Sequence, residues 1–157
     1  MNKPIYFITG PTAIGKSSFG LKLTEEINGE IINADSMQIY KELDIVSARP
    51  SISDKKLIKH HLYGYVSGSE RYNVEKWCTD ASQIINSLKT KNKTSIFVGG
   101  TGLYIDTLIN GISKVPNISE SIKKESCFLF NKIGSSNFYK LVKDIDYDSV
   151  KNIQSND

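Results

Sequence analysis

Eight consecutive residues near the start of the chain have the types and spacing of a loop that binds a polyphosphate. They fit the pattern G-x-x-x-x-G-K-[S/T], and they are Gly10, Pro11, Thr12, Ala13, Ile14, Gly15, Lys16 and Ser17. In such a loop the glycines let successive backbone N–H groups point at one anion. Lys16 adds a full positive charge, and the Ser17 hydroxyl is a ligand for Mg²⁺. The pattern therefore predicts a diphosphate or nucleotide site with Mg²⁺, and it leaves open whether the ligand is ATP.

Two further polar segments carry groups that could act on a bound phosphate. Asp35 begins the segment 35–38, Asp-Ser-Met-Gln, and Thr101 lies in the glycine-rich segment 99–102. Asp35 could hold Mg²⁺ through water, act as a general base, or cap the next turn. The Thr101 hydroxyl could bind a second set of phosphate oxygens, or its segment could be a tight turn that packing requires. We treat Asp35 and Thr101 as candidate catalytic residues.

Predicted strands precede all three segments. Apolar runs at residues 5–9, 30–33 and 95–98 are typical of strands, the first and third of them buried, and helical patterns follow at residues 17–27 and 103–112. Strands that alternate with helices imply a parallel sheet, in which ligands bind at the carboxyl ends of the strands. We therefore predict an α/β fold: a P-loop NTPase-like parallel sheet flanked by helices, with the three segments at one edge.

The helical patterns also predict which side chains face the sheet. Phe19, Leu23 and Ile27 recur at helical spacing in the helix that follows the phosphate loop. A longer helix begins after Asn73, a suitable N-cap, and carries one apolar stripe. Trp77 lies on that stripe, so we expect it to pack in the core.

Composition and the later part of the chain bound the remaining possibilities. The chain has 157 residues, a net charge of +3 and two cysteines that match no metal-ligand spacing. No apolar stretch approaches the roughly 20 residues that span a bilayer, so we expect a cytoplasmic protein with no membrane partner. After Pro116 the pattern becomes more polar and helical. We predict a P-loop α/β core at residues 1–115 and a small helical region at residues 116–157.

The three motifs together resemble those of the bacterial tRNA dimethylallyltransferases. Besides the loop at 10–17, the resemblance rests on residues 32–40, Ile-Asn-Ala-Asp-Ser-Met-Gln-Ile-Tyr, and residues 98–104, Val-Gly-Gly-Thr-Gly-Leu-Tyr. The second and third motifs are specific to that family, because ordinary nucleotide kinases lack them. The match is strong over residues 4–112 and weaker beyond them.

The resemblance implies transfer of a dimethylallyl group from dimethylallyl diphosphate to the N6 amine of the adenosine on the 3′ side of the tRNA anticodon. The phosphate loop would hold the diphosphate, with Mg²⁺ between it and Ser17. Asp35 would be the base toward the amine, and Thr101 would lie at the diphosphate and the target nucleotide. By the same resemblance, the residues that contact the tRNA anticodon stem-loop would be Asp35, Ser36, Met37, Gln38, Thr101 and Lys123.

Length is where the chain departs from this family. Family members are about twice as long, so the resemblance implies a truncated N-terminal portion whose helical tRNA-binding region is partial. We expect a monomer. Two alternatives stay open: a non-catalytic remnant that binds diphosphate only, and a small-molecule P-loop kinase that uses ATP.

Overall fold

A four-stranded parallel sheet organises the first part of the chain. The computed structural model describes residues 3–112 and 118–154. Two compact units divide the chain, residues 1–112 and residues 113–157. In chain order the helices and strands are β1 (Ile5–Ile8), α1 (Lys16–Glu26), β2 (Gly29–Asn33), α2 (Ile52–Leu57), β3 (His60–His61), α3 (Val74–Thr90), β4 (Thr94–Val98), α4 (Gly102–Asn110), α5 (Glu120–Ile133), α6 (Ser135–Ile145) and α7 (Tyr147–Val150).

The order of the strands brings three loops to one edge of the sheet. The order is β1-β4-β2-β3, and every pairing is parallel. Val98, the last residue of β4, lies in register with Ile8 of β1 and with Asn33 of β2. The loops that follow these three strands therefore start side by side. The predicted P-loop-like parallel sheet flanked by helices is confirmed.

Helices cover both faces of this sheet. Side chains alternate between the faces along each strand, and the two cores follow that alternation. On one face Ile32 and Phe97 pack with the α3 residue Trp77. On the other face Ile31 and Ile96 pack with apolar side chains of α1. The sheet is thus a central layer between α1 on one side and α3 and α4 on the other.

The α3 helix confirms its predicted cap and packing. The side chain of Asn73 accepts a hydrogen bond from the Lys76 N–H at 3.0 Å, which satisfies one of the free donors at the start of the helix. Trp77 is fully buried and stacks on Tyr104 of α4, with 4.4 Å between the ring centroids. The stripe therefore joins α3 to both the sheet and α4.

Two predictions about burial are wrong. The strand predicted at residues 5–9 ends at Ile8, and Ile5 and Tyr6 are exposed because β1 is an edge strand that pairs only with β4 in the described part of the chain. Phe19 does not face the sheet and is exposed. The buried side of α1 is formed by Gly20 and Thr24 instead.

Close packing of α1 explains the position of Phe19. A Cβ atom on Gly20 would lie 2.9 Å from Cγ2 of Val98, so the helix lies directly on β4 at this glycine. Contact through the smallest side chain sets the rotation of the helix. The neighbouring Phe19 is then directed away from the sheet.

The second unit is helical within its described residues. It consists of α5, α6 and α7, and the rings of Phe130 and Phe138 join α5 to α6 with 5.4 Å between centroids. The predicted boundary between residues 115 and 116 lies outside the described residues and stays a prediction. In the described ranges there is no helix long and apolar enough to cross a membrane.

A buried ion network centred on Glu30 joins β2 to its two neighbouring strands. The Glu30 carboxylate is almost fully buried and accepts hydrogen bonds from His61 Nε2 at 2.6 Å and Lys93 Nζ at 2.7 Å. Burial by itself raises the pKa of Glu30, but the hydrogen bonds and charges of Lys93 and His61 outweigh it and lower that pKa. The network connects β2 to β3 and to the start of β4.

The lowered pKa of Glu30 predicts a specific acid sensitivity. A carboxylate whose pKa is lower in the folded state contributes stability above its unfolded pKa, and that stability is lost as the pH falls through the folded pKa. We expect Glu30→Gln to lower the free energy of unfolding by about 2 kcal/mol at pH 7. The difference from wild type should shrink below about pH 4.5. Urea unfolding of wild type and variant at pH 7 and below about pH 4.5 measures this difference in the free energy of unfolding. Glu25→Gln, at an exposed position, is the control. An unchanged difference at low pH would contradict this assignment.

Candidate active site

The phosphate loop joins β1 to α1 with an unusual backbone. Gly10 and Gly15 have φ angles of 146° and 93°, which a glycine adopts at little cost. Ala13 also has a positive φ of 67°, which is strained for a residue with a side chain. Lys16 Nζ donates to the carbonyl oxygens of Gly10 at 2.8 Å and Pro11 at 2.6 Å. The lysine ammonium therefore lies over the loop, where its charge adds to that of the helix N-terminus.

Asp35 is positioned by the buried side chain of Asn33. The Asn33 side chain accepts from the Asp35 N–H at 2.9 Å and donates to the Asp35 carbonyl, also at 2.9 Å. Asp35 Oδ1 in turn accepts the Met37 N–H at 2.9 Å. Asp35 Oδ2 accepts no hydrogen bond from the described residues. The carboxylate thus caps the next turn with one oxygen, and the other makes no hydrogen bond with the described residues.

Thr101 links the Asp35 segment to the end of β4. Its Oγ1 accepts the Ser36 N–H at 2.9 Å and donates to Ser36 Oγ at 3.3 Å, while its own N–H donates to the Ala34 carbonyl at 3.1 Å. The two segments that the sequence singled out are therefore joined directly. Thr101 lies at the start of α4, whose first turn begins at Gly102.

A glycine makes this junction possible. A Cβ atom built on Gly99 would lie 2.2 Å from the backbone carbon of Ala34, far inside contact distance. The backbone after β4 therefore passes against the backbone after β2 where only glycine fits. The neighbouring Gly102 has open space, because no atom lies within 4 Å of the corresponding position.

The phosphate loop and Asp35 line one cavity of about 300 Å³. Seven of the predicted site residues line it: Thr12, Ala13, Gly15, Lys16, Ser17, Asp35 and Gln38. The predicted residues of the first unit that do not line it are Gly10, Pro11, Ile14, Ser36, Met37 and Thr101. The structure thus brings the loop, the candidate base and Gln38 together, and it places Thr101 beside Ser36 rather than at the cavity wall.

Lys123 belongs to the other unit. It is exposed on α5, and its Nζ donates to the Glu120 carboxylate one turn earlier at 2.9 Å. An exposed pair of this kind contributes little to stability.

Of the other residues that line the cavity, Val98 and Gly99 belong to the motif at residues 98–104. Sequence reasoning missed the rest, which are Ser18, Ser47, Ala48 and Tyr63. Ser47 and Ala48 come from the irregular segment between β2 and α2, which gives no periodic signal. That segment is fixed by Gln38, whose side chain donates to the Ser47 carbonyl at 2.9 Å. Tyr63 follows β3, so the rule that ligands bind beyond the carboxyl ends of strands could have found it.

Arg49 holds the same irregular segment from its far end. Its side chain is buried, with Nε donating to Asp44 Oδ1 at 2.7 Å and Nη2 donating to the Lys41 carbonyl at 3.0 Å. A Cβ atom on Gly64 would lie 1.5 Å from Arg49 Nη1, so the guanidinium rests against bare backbone there. The cavity wall at Ser47 is therefore fixed rather than free.

The charge of Asp35 affects the tyrosines around it. Burial is the main cause that raises the pKa of Tyr104 to about 12, and the negative charge of Asp35 adds to it. Burial and the charge of Asp35 also raise the pKa of Tyr63. Both phenols consequently stay protonated near neutral pH.

The oxygen atoms that line the cavity suit a hard cation that takes most of its ligands from phosphate and water. The described ranges contain no cluster of three His, Cys, Asp or Glu side chains that could hold a metal ion. The Ser17 hydroxyl and the Asp35 carboxylate, both oxygen donors, line the same cavity. Mg²⁺ is commonly bound by one or two protein oxygens plus phosphate and water. The residues present fit that ion.

The sheet and the loop define a P-loop-like α/β protein, and the candidate site lies at the carboxyl edge of its parallel sheet. Within this class, the family model for IPP transferase matches residues 38–157, and that for isopentenyl transferase matches residues 3–65. The chain belongs to the IPP transferase family.

Curated relatives agree with this assignment. The chain is 45% identical over 142 residues to the tRNA dimethylallyltransferase of Pelagibacter ubique, an alignment that covers 90% of this chain and 45% of the relative. It is 40% identical over 155 residues to that of Bartonella tribocorum, covering 99% and 53%. The chain therefore spans about half the length of these relatives.

Solved structures show the same correspondence. The tRNA isopentenylpyrophosphate transferase of Bacillus halodurans is 28% identical and has a TM-score of 0.70, with 100% of this chain and 52% of that chain covered. A eukaryotic dimethylallyltransferase acting on tRNA is also 28% identical and has a TM-score of 0.83, with 99% and 39% covered.

The close approach at Gly99 predicts that the same substitution changes stability very differently at Gly99 and at Gly102, three residues later. Gly99→Ala forces a methyl group into the Ala34 backbone, so we expect it to lower the free energy of unfolding by about 3 kcal/mol. Gly102→Ala adds a methyl group in open space within a helix and should be neutral or slightly stabilising. Urea denaturation of both variants measures the difference. Equal stabilities would show that the two backbones do not meet as described.

Proposed function

We propose that the chain acts in tRNA modification, transferring a dimethylallyl group from dimethylallyl diphosphate to the N6 amine of the adenosine on the 3′ side of the anticodon. The observation that carries the proposal is the cavity lined jointly by Lys16, Ser17 and Asp35. Transfer of this kind needs a site for the departing diphosphate beside a group that accepts a proton. Relatives that are named tRNA dimethylallyltransferase support the choice of substrates.

The phosphate loop assists departure of the diphosphate. As the bond between the allylic carbon and the diphosphate oxygen breaks, its electron pair leaves with the diphosphate. The backbone N–H groups of the loop and the Lys16 ammonium stabilise the charge that develops. Lys16 exchanges its contacts with the Gly10 and Pro11 carbonyls for contacts with phosphate oxygens. Ser17 would hold Mg²⁺, which supplies further neutralisation of the diphosphate charge.

Asp35 serves the other substrate. The lone pair of the adenine N6 forms the new bond to the allylic carbon, and the amine then loses a proton to the Asp35 carboxylate. Met37 holds Oδ1 of that carboxylate, so Oδ2 is the oxygen that takes the proton. The adenine must leave its stack to reach the cavity. Once the amine is held beside the allylic carbon, it can react although it is a weak nucleophile.

The proposal also includes the residues that contact the tRNA. Ser36, Met37 and Gln38 are continuous with Asp35, and Met37 is exposed. Thr101 supports this segment through Ser36. Lys123 would contact the phosphate backbone of the tRNA. A monomer that works in the cytoplasm is part of the same proposal.

Transfer should depend on Lys16. The chain is incubated with Mg²⁺, labelled dimethylallyl diphosphate and an unmodified anticodon stem-loop, and label in the RNA is measured. We expect Lys16→Ala to lower the rate at least about 100-fold, since it removes the charge that stabilises the leaving group. Lys22→Ala, an exposed lysine of the same helix, is the matched control. Undiminished transfer by Lys16→Ala would contradict the proposal. Diphosphate binding without transfer by wild type would support the alternative, a chain that only binds diphosphate.

Asp35→Asn distinguishes the proposed role of Asp35 as a general base from its role in capping the next turn. Asparagine can still accept the Met37 N–H, so the local geometry is kept while the proton acceptor is lost. We expect kcat for transfer to fall about 100-fold or more, with the affinity for diphosphate unchanged. Steady-state kinetics and diphosphate titration measure the two quantities separately. Full transfer activity in Asp35→Asn would exclude the role of general base.

A further inference from the structure

Tyr63 lines the candidate active site but belongs to none of the three sequence motifs. It follows β3 by two residues, at the same edge of the sheet as the phosphate loop and Asp35. Its ring is partly buried and packs against the core that contains Ile31 and Val98. His60 contacts the ring edge-on, with 5.6 Å between centroids and 70° between planes. Packing on these sides fixes the phenol in place.

The Tyr63 hydroxyl makes no hydrogen bond with the described residues. It is open to solvent, because no buried side-chain polar atom in the described part of the chain lacks a partner. This sets it apart from Tyr65 and Tyr72, whose hydroxyls donate to Asp80 Oδ2 at 3.0 Å and 2.7 Å. Tyr63 lines the cavity of Lys16, Ser17 and Asp35, and it also lines a smaller neighbouring cavity together with Ser17. A fixed polar group without a protein partner beside a phosphate loop is a group available to a ligand.

Its chemistry makes this hydroxyl a donor. Burial and the Asp35 charge raise the pKa of Tyr63, so the phenol keeps its proton across the neutral range. A neutral O–H in a partly buried site donates well to an anionic oxygen. Ser17 lines both of the cavities that Tyr63 lines. In loops of this pattern the hydroxyl at the position of Ser17 is a ligand of the Mg²⁺ that accompanies the phosphate.

We infer that the Tyr63 hydroxyl donates a hydrogen bond to an oxygen of the diphosphate held by the phosphate loop. This rests on the proposed function and adds a binding residue from outside the loop. The contact fixes the diphosphate from the side of β3, while the loop holds it from the side of α1. Tyr63 thereby helps to orient the allylic carbon with respect to Asp35.

Calorimetric titration of the 157-residue chain with inorganic diphosphate and Mg²⁺ tests the inference. Tyr63→Phe removes only the hydroxyl and keeps the ring packing, so the variant should stay folded. We expect its Kd to rise about tenfold, the usual effect of a lost hydrogen bond to a charged group. Tyr65→Phe, which removes a hydroxyl outside the cavity, is the matched control and should bind within about twofold of wild type. Thermal unfolding of each variant establishes that it is folded.

The outcomes separate this inference from the proposed function. Equal Kd values for wild type and Tyr63→Phe, with binding that still depends on Lys16, would overturn the role of Tyr63 and leave the function standing. Absence of diphosphate binding by wild type would overturn the proposed function and the Tyr63 contact together. A selective loss in Tyr63→Phe, without loss in Tyr65→Phe, supports the inference.

Discussion

The site depends first on how the buried side-chain amide of Asn33 is satisfied. Its oxygen accepts the Asp35 N–H, and its nitrogen donates to the carbonyls of Asp35 and Leu62, each at 2.9 Å. The backbone carbonyl of the same residue accepts the Trp77 indole N–H at 3.1 Å. Buried polar groups without partners are costly, so the side-chain amide and the backbone carbonyl of Asn33 together oblige three segments to meet. They are the Asp35 turn, the chain that leads to Tyr63, and helix α3.

A second constraint joins this centre to the phosphate loop through β4. The N–H of Ala34 donates to the Val98 carbonyl at 2.9 Å, and the N–H of Gly99 donates to the Ile8 carbonyl at 3.2 Å. Strand β4 thereby fixes the ends of β1 and β2 relative to each other. The phosphate loop follows one of those ends and Asp35 follows the other. Their presence in one cavity is thus a consequence of strand order and close backbone packing, and no direct bond between the two is needed.

The sequence predicted those parts of the site that depend on local patterns. The phosphate loop is contiguous, and Asp35 and Thr101 follow apolar runs that are typical of parallel strands, so a single rule about strand ends brings them together. The exposure of Ile5 and Phe19 follows from the order of the strands and from a glycine contact between α1 and β4, which local patterns do not encode. Ser47 reaches the cavity through an irregular segment whose path depends on Gln38 and Arg49. Tyr63 follows a strand of only two residues, which is too short to give a periodic signal. Asn33 itself carried a signal, since a polar residue at the end of an apolar strand must find partners.

The identity of the ligand decides between the two enzyme classes, because the phosphate loop alone is equally compatible with a kinase. Competition at equilibrium tests it most directly: the wild-type chain is titrated with dimethylallyl diphosphate in the presence of Mg²⁺, with and without an excess of ATP. We expect saturable binding of the prenyl diphosphate that inorganic diphosphate displaces and ATP does not. Tight binding of ATP that excludes the prenyl diphosphate would contradict it and indicate a nucleotide-dependent kinase.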